Sequence, residues 1–202
     1  GKFVGYIDRF AAHGVLNTAL GSVSSDVHLT LPGMDANKAI YTGTISSSSL
    51  DVGALFRQPI FGKIALNVNV DGHAFDPANA AVNLDGKISS LEFNGYTYTD
   101  IHAVGTLAQK KFDGKLLVND PNMALAFYGN ADFSQPQLQI NATANLLNSN
   151  LKALNFTKDS FTAAADFDLN YIGNNIDEFT GYAKLYNVNI RRDDHRLDVD
   201  SA

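Results

Sequence analysis

Apolar and polar residues alternate one by one along most of the 202-residue chain, which is the period of a β-strand with one buried face. Segments of this kind recur from about residue 27 to residue 171, each about 7 to 11 residues long. They predict a series of strands. The apolar positions of these segments are Val27, Leu29, Leu31; Ile64, Leu66, Val68, Val70; Val82, Leu84, Ile88; Ile101, Ala103, Leu107; Phe112, Leu116, Val118; Met123, Leu125, Phe127, Ala131, Phe133; Leu138, Ile140, Ala142, Ala144, Leu146; and Phe161, Ala163, Ala165, Phe167, Leu169, Tyr171.

Turn-forming pairs separate these segments and are too short for the long crossovers that parallel neighbours need. We therefore predict one domain, residues 1–202, of about nine to twelve antiparallel strands. A single weak helix candidate lies near residues 50–58, where Ser49 could cap it, although a short loop fits equally well. The turn pairs are Pro32-Gly33, Asp76-Pro77, Asn94-Gly95, Asp120-Pro121, Gln135-Pro136 and Gly173-Asn174.

An amphipathic sheet has to hide its apolar face, and two architectures do this. The sheet can close into a β-sandwich or barrel with a packed core, or it can curl into an open trough. Periodicity alone favours the packed core. Small residues among the apolar positions, such as Ala131, Ala142 and Ala163, suit either free interior space or close sheet packing.

Composition excludes several classes of protein. Charged residues make up 18% of the chain and the net charge is −6, so a nucleic-acid surface of the ordinary basic kind is excluded. Cysteine is absent, which removes disulfides and thiol chemistry. No apolar run is long enough to span a bilayer and no signal peptide is visible at Gly1, so a targeting signal or anchor would lie outside this sequence.

Candidate chemistry is sparse. The stretch beginning at Asn67 resembles a calcium loop, but Asn67 replaces the first Asp and Ala78 stands where a bidentate Glu is required. The alternating oxygens of Asp166, Asp168 and Asn170 would lie in a row on a strand, which cannot wrap around an ion. We predict neither a metal site nor a cofactor.

The charged run from Arg191 to Arg196 is the one catalytic candidate, through Asp194 and His195. Its simpler interpretation is a solvated turn between the segments 182–190 and 197–199. No nucleophile elbow, phosphate loop or dinucleotide fingerprint occurs. We therefore expect a protein that is not an enzyme and has no catalytic residues.

Several short motifs resemble segments of the TamB proteins of the Bacteroidota, within the wider AsmA-like group. The likeness covers most of the chain, but the motifs are structural repeats rather than catalytic signatures. They are F-N-G-Y-x-Y at Phe93–Tyr98, I-x-x-x-G-T-L at Ile101–Leu107, F-D-G-K-L at Phe112–Leu116, N-D-P at Asn119–Pro121, L-K-A-L-N-F-T at Leu151–Thr157, G-N-N-I-D-x-F at Gly173–Phe179 and, less sharply, G-V-L-N-T-A-L-G at Gly14–Gly21.

The resemblance implies a segment of a long periplasmic protein of Gram-negative bacteria, anchored in the inner membrane by a helix outside this sequence. It implies an elongated, curled antiparallel sheet that forms an open apolar groove, the β-taco, with a closed sandwich or barrel as the alternative. The groove would shield phospholipid acyl chains between the inner and outer membranes and support outer-membrane biogenesis. Expected partners are the acyl chains, adjacent segments of the same chain and a TamA-like outer-membrane barrel protein.

Under this interpretation the functional residues are a lining rather than a catalytic set, because burial of acyl chains requires only continuous apolar surface. The alternative is a structural module that assists outer-membrane protein assembly through its edge strands. The lining that we predict is Ile64, Leu66, Val68, Leu84, Leu116, Val118, Leu125, Phe127, Leu138, Ile140, Phe161, Phe167 and Leu169.

Overall fold

Thirteen antiparallel strands follow one another in chain order across one continuous sheet in a computed structural model of the chain, which describes residues 2–6, 8–76, 79–175, 179–192 and 195–201. Each strand pairs with its neighbours in sequence, and β1 and β13 have one neighbour each. The strands are β1 (Lys2–Tyr6), β2 (Arg9–Thr18), β3 (Gly21–Thr30), β4 (Ile40–Asp51), β5 (Phe61–His73), β6 (Ala81–Phe93), β7 (Tyr96–Ala108), β8 (Lys111–Asp120), β9 (Met123–Asp132), β10 (Leu138–Asn150), β11 (Thr162–Gly173), β12 (Phe179–Arg192) and β13 (His195–Ser201).

This arrangement confirms the predicted all-β, antiparallel sheet, which curls without closing into a barrel. The predicted count of nine to twelve strands is too low. The sequence pattern missed β1, β2 and β4, and β4 shows why: its run of serines, Ser46 to Ser49, erases the contrast between apolar and polar positions.

The described residues of the predicted turns lie between strands or at a strand end, with Asp120 and Gly173 as the last residues of β8 and β11. Asn94 and Gly95 join β6 to β7 with φ values of 51° and 72°, the left-handed pair that a two-residue hairpin turn needs. Gln109 and Lys110 adopt the same conformation between β7 and β8, with φ of 52° and 62°, although neither is a usual residue for it. Pro77 and Ala78, which belong to one predicted turn and to the rejected calcium loop, lie outside the described residues.

The helix candidate is a real but short helix, α1 (Val52–Phe56). Ser49 does not cap it, because β4 continues through that residue. The carboxylate of Asp51 instead accepts a hydrogen bond from the Ala54 N–H at 2.8 Å. The helix ends at Arg57, which is left-handed with φ of 59°.

The sheet is strongly curled. Phe61 begins β5 and Phe133 follows β9, so a flat sheet would place them at opposite strand ends, at least about 30 Å apart at about 3.3 Å per residue. Their ring centroids are 5.8 Å apart. This contact is possible only because the sheet folds over its own apolar face.

Register shifts mark where the sheet bends. They occur in β4 after Ser47, in β5 at Ala65–Leu66 and in β10 after Leu146, and these positions lie beside one row that crosses the sheet. A β-bulge bends its strand and increases the local twist. Bulges aligned across several strands therefore bend the whole sheet along a line.

A second row, four residues further along the same strands, consists largely of small residues. Leu84, Gly105, Gly114, Gly129 and Ala142 lie opposite one another on successive strands from β6 to β10. We call the last four residues the glycine row. Side chains converge on the concave side of a curled sheet, and the small residues of the glycine row take up little space there.

Close contacts show that this row has no space for larger residues. A Cβ atom on Gly114 would lie 2.6 Å from the Cα of Gly105 and 2.8 Å from the ring of Phe112. A Cβ on Gly105 would meet the same ring at 2.8 Å. The ring of Phe112 therefore covers both glycines and supplies the apolar surface that they lack.

We predict that Gly114→Val lowers the free energy of unfolding by about 1–3 kcal/mol, the usual cost of overpacking a close-packed site. Asp113→Val is the matched control, because Asp113 is the exposed neighbour of Gly114 on the opposite face of β8. Denaturant unfolding of both variants measures the difference. Equal stability of the two variants would contradict the crowding of the glycine row.

Candidate functional site

One face of the sheet carries most of its large apolar side chains. Residues directly opposite each other on paired strands point to the same face, so the register assigns each side chain. Leu116, Phe127, Ala144, Phe167 and Leu185 form one such row from β8 to β12. We call this side the apolar face and the other side, which carries mainly Asn, Asp, Thr and Lys, the polar face.

Every residue of the predicted lining except Phe161 lies in a strand with its side chain on the apolar face. Phe161 directly precedes β11. The Arg192 guanidinium covers its ring at 5.4 Å and lies 3.7 Å from a carboxylate oxygen of Asp159. Phe161 therefore contributes to a partly polar corner of the sheet rather than to a continuous apolar wall.

The apolar face is not uniformly open. A first cluster contains Ile64 and Val118, with Leu66, Leu84, Leu116 and Leu125 packed against it. A second contains Leu138, which is fully buried, with Ile140 and Leu169 packed against it. These members of the predicted lining act as core residues of the curled sheet.

The remaining members differ among themselves. Val68 is buried, whereas Phe127 and Phe167 are half-buried and belong to neither cluster of described residues. Phe127 and Phe167 flank Ala144 on the strands on either side of it. They form the part of the predicted lining that is still accessible.

The connection between β10 and β11 packs over the first cluster and covers part of it. Leu154 in this connection is fully buried and packs into the cluster. Asn94 and Asn155 secure it by donating hydrogen bonds to each other's backbone carbonyls, at 3.4 and 3.3 Å. The sequence gives no signal for this role of Leu154, because the apolar residues of the segment 151–157 do not alternate regularly with polar ones.

A second connection, residues 52–60, lies over the other cluster, and we call it the strap. Ile60 is buried among Ala131, Leu138 and Tyr171. Phe56 stacks on Phe133 with a centroid distance of 4.8 Å. The strap thus links the start of β5 to the turn between β9 and β10 across the apolar face.

One buried polar group of the strap is unsatisfied. The amide nitrogen of Gln58 donates to the Gln135 carbonyl at 2.9 Å. Its Oε1 atom is the one buried side-chain polar atom of the described residues without a hydrogen-bond partner. An unpaired buried acceptor costs about 1–3 kcal/mol, so the closed strap is less stable than its apolar contacts alone suggest.

Strands β2 to β4 extend the apolar face beyond the clusters. Their residues on this face include Ala12, Val23, Val27, Leu29 and Ile45, which are half-buried. Among the described residues, neither cluster includes any of these five. The apolar face therefore has a covered centre and open flanks.

Asp120 is the buried carboxylate at the edge of the first cluster. Its two oxygens accept hydrogen bonds from the Tyr96 hydroxyl at 2.7 Å, the Asn122 N–H at 2.8 Å, and the N–H and hydroxyl of Thr99 at 2.9 Å each. Burial alone would raise the pKa of Asp120, but these hydrogen bonds outweigh burial and lower it. Through these hydrogen bonds the carboxylate links the end of β8 to the start of β7 and to the turn that precedes β9.

The structure describes one of the two catalytic candidates, His195. His195 begins β13, is exposed and lies opposite Arg192, while Asp194 lies outside the described residues. His13 and His102 pair with Asp26 and Asp85 on neighbouring strands, at 2.7 and 3.0 Å. Across the described part of the chain, no three His, Asp or Glu side chains are grouped so as to hold a metal ion.

Comparison with known proteins assigns no family to this chain: it matches no protein-family model, no curated protein and no solved structure. Among the described residues, no helix is long and apolar enough to cross a bilayer.

We predict that Asp120→Asn lowers the free energy of unfolding by about 1–3 kcal/mol near neutral pH, since donors that face the carboxylate lose their acceptor. A carboxyl whose pKa is lowered by folding stabilises the protein above its unfolded pKa of about 3.9, and that contribution is lost as the pH falls through the folded value. The stability gap between wild type and variant should therefore narrow in acid. Urea unfolding at about pH 7 and about pH 2 measures it, with the exposed Asp113→Asn as control.

Proposed function

We propose that this chain is a non-enzymatic segment of a TamB/AsmA-like bridge protein that shields phospholipid acyl chains during transport between the inner and outer membranes. The observation that carries the proposal is an unclosed sheet whose apolar face continues from β2 to β12. A closed sandwich would offer such chains no entry along its length. The family resemblance of the sequence motifs points in the same direction.

The physical basis is the burial of apolar surface. Each acyl-chain methylene removed from water contributes about 0.8 kcal/mol without any specific polar contact. The open flanks of the apolar face supply this surface, on β2–β4 at one side and around Phe127, Phe167 and Leu185 at the other. The strap and the first cluster cover the centre between them.

The cellular setting follows from the same proposal. The parent protein would be anchored in the inner membrane and would extend through the periplasm, where adjacent segments of the chain prolong the groove. A TamA-like outer-membrane barrel is the expected partner at the far end. Strands β1 and β13, each with one neighbour, are the edges at which the adjacent segments would pair.

These same edges favour a second candidate function. Unpaired strand edges are templates for β-augmentation, in which an extended partner adds a strand through main-chain hydrogen bonds. The chain would then be a structural module that assists outer-membrane protein assembly. This alternative requires no lipid and predicts a gain of β structure when a partner binds.

We predict that Phe167→Asp weakens binding of a fluorescent phospholipid probe by about tenfold to a hundredfold, as expected for loss of one buried aromatic contact. Phe167 is the better test than Leu125, because Leu125 packs against the first cluster and its replacement would also unfold the protein. Fluorescence titration of the probe measures affinity. Circular dichroism checks that the variant remains folded.

The matched control is Thr162→Asp, which places the same charge on an exposed position of β11 on the polar face. It should leave probe binding unchanged. If neither wild type nor control binds the probe, the lipid proposal fails and the edge-pairing module takes its place. If Phe167→Asp binds as well as wild type, the apolar face is not the lipid surface.

We further predict that fixing the strap reduces the amount of bound probe, because its opening would join the two flanks into one groove. Phe56→Cys with Phe133→Cys places two thiols where the stacked rings now lie, and a short bis-thiol reagent joins them. The chain has no other cysteine, so the reagent reacts only there. Probe capacity is measured before and after linking.

Each single-cysteine variant treated with the same reagent is the control for the loss of one ring. Both should keep the capacity that the unlinked double variant shows. Undiminished capacity in the linked protein would mean that acyl chains occupy the flanks without crossing the strap.

A further inference from the structure

The polar face carries a shallow depression between β9 and β12, on the side of the sheet opposite the proposed lipid surface. It has a volume of about 270 Å³. Six residues line it with side chains on the polar face: Tyr128, Thr143, Asn145, Asp166, Asp168 and Tyr186. Ala144 and Phe167, whose side chains point to the apolar face, form its base.

Two exposed aromatic rings bound this depression. Tyr128 and Tyr186 are exposed to 48% and 38%. They stand on β9 and β12, three strand spacings apart across the sheet, or about 14 Å at about 4.8 Å per strand, and two residues out of register along it. The space between them is therefore wider than a single ring and open to solvent.

The floor between the rings is rich in hydrogen-bonding groups. Asp166 accepts hydrogen bonds from the amides of Asn187 and Asn145, and these bonds lower its pKa, so it is ionised at neutral pH. Asp168 accepts a hydrogen bond from the Tyr186 hydroxyl at 3.3 Å. Carboxylates and amides held in this way are oriented acceptors and donors for a ligand.

We propose that this depression, bounded by Tyr128 and Tyr186, binds a neutral oligosaccharide. A pyranose ring has apolar C–H faces and a rim of hydroxyl groups. The two tyrosine rings suit the faces, and the carboxylate, amide and hydroxyl groups between them suit the rim. The two carboxylates disfavour an anionic polysaccharide by like-charge repulsion.

A second depression on the polar face serves as an internal comparison. It is larger, about 610 Å³, and its polar-face lining includes Thr42, Asn69, Asp71, Asn83 and Thr106. These are the same kinds of polar group, but no aromatic ring lines it. If polar groups alone sufficed, this larger depression would bind saccharides as well.

The test is titration of the whole chain with two neutral probes, chitotriose and maltotriose, and with trigalacturonic acid as the anionic probe. Tyrosine NMR signals report which rings are involved, since the chain contains eight tyrosines and no tryptophan. We expect saturable shifts of the Tyr128 and Tyr186 signals with at least one neutral probe. The two neutral probes distinguish a requirement for acetamido groups from general pyranose recognition.

Four variants localise the site. Tyr128→Ala with Tyr186→Ala should weaken binding at least tenfold, whereas Tyr128→Phe should retain it because the ring face remains. Tyr182→Ala is the matched control, because Tyr182 is an exposed tyrosine on the same face that does not line the depression. Asp168→Asn removes one carboxylate from the base of the depression and leaves both rings in place, and it should also weaken binding.

Several results would overturn the proposal. These are the absence of saturable shifts with both neutral probes, equal losses from Tyr182→Ala and the double variant, or stronger binding of trigalacturonic acid. Salt-sensitive binding of a trilysine peptide at the same rings, without saccharide binding, would identify a cation surface instead. Thermal unfolding of each variant separates loss of binding from loss of the fold.

Discussion

The whole structure depends on one constraint: a single amphipathic sheet has no second layer to cover its apolar face. Curling is the solution available to such a sheet, and it brings the side chains of the concave face together. Gly105, Gly114 and Gly129 accommodate this crowding, and the ring of Phe112 covers the first two. The rows of bulges and of small residues are thus two parts of one bend.

Curling alone leaves the ends of the fold open, and two connections cover them. The strap places Ile60 against Leu138, and the connection after β10 places Leu154 in the first cluster. Each connection carries apolar residues to strands that are distant in the sheet. The result is a sheet with a packed centre and open flanks, which combines the two architectures that the alternation pattern allowed. The two proposed ligands, acyl chains and saccharides, would therefore occupy opposite faces of the sheet.

The extent of successful prediction follows from how local each feature is. Alternation placed Leu116, Phe127 and Phe167 on one face correctly, because the side-chain period of a strand is independent of its surroundings. It could not separate Leu138, which is fully buried, from Phe167, which is accessible, since both are large apolar residues at alternating positions. Their difference arises from what folds over them.

By itself, the sequence determined the β class, the turns and the side of the sheet to which most side chains point, because these depend on neighbours a few residues apart. Tertiary structure alone decided the curl, the covered centre and the gathering of Tyr128 and Tyr186 around one depression. Those features join residues that lie three or more strands apart in the chain. Their proximity depends on the accumulated twist and bend of the sheet, which no single segment encodes.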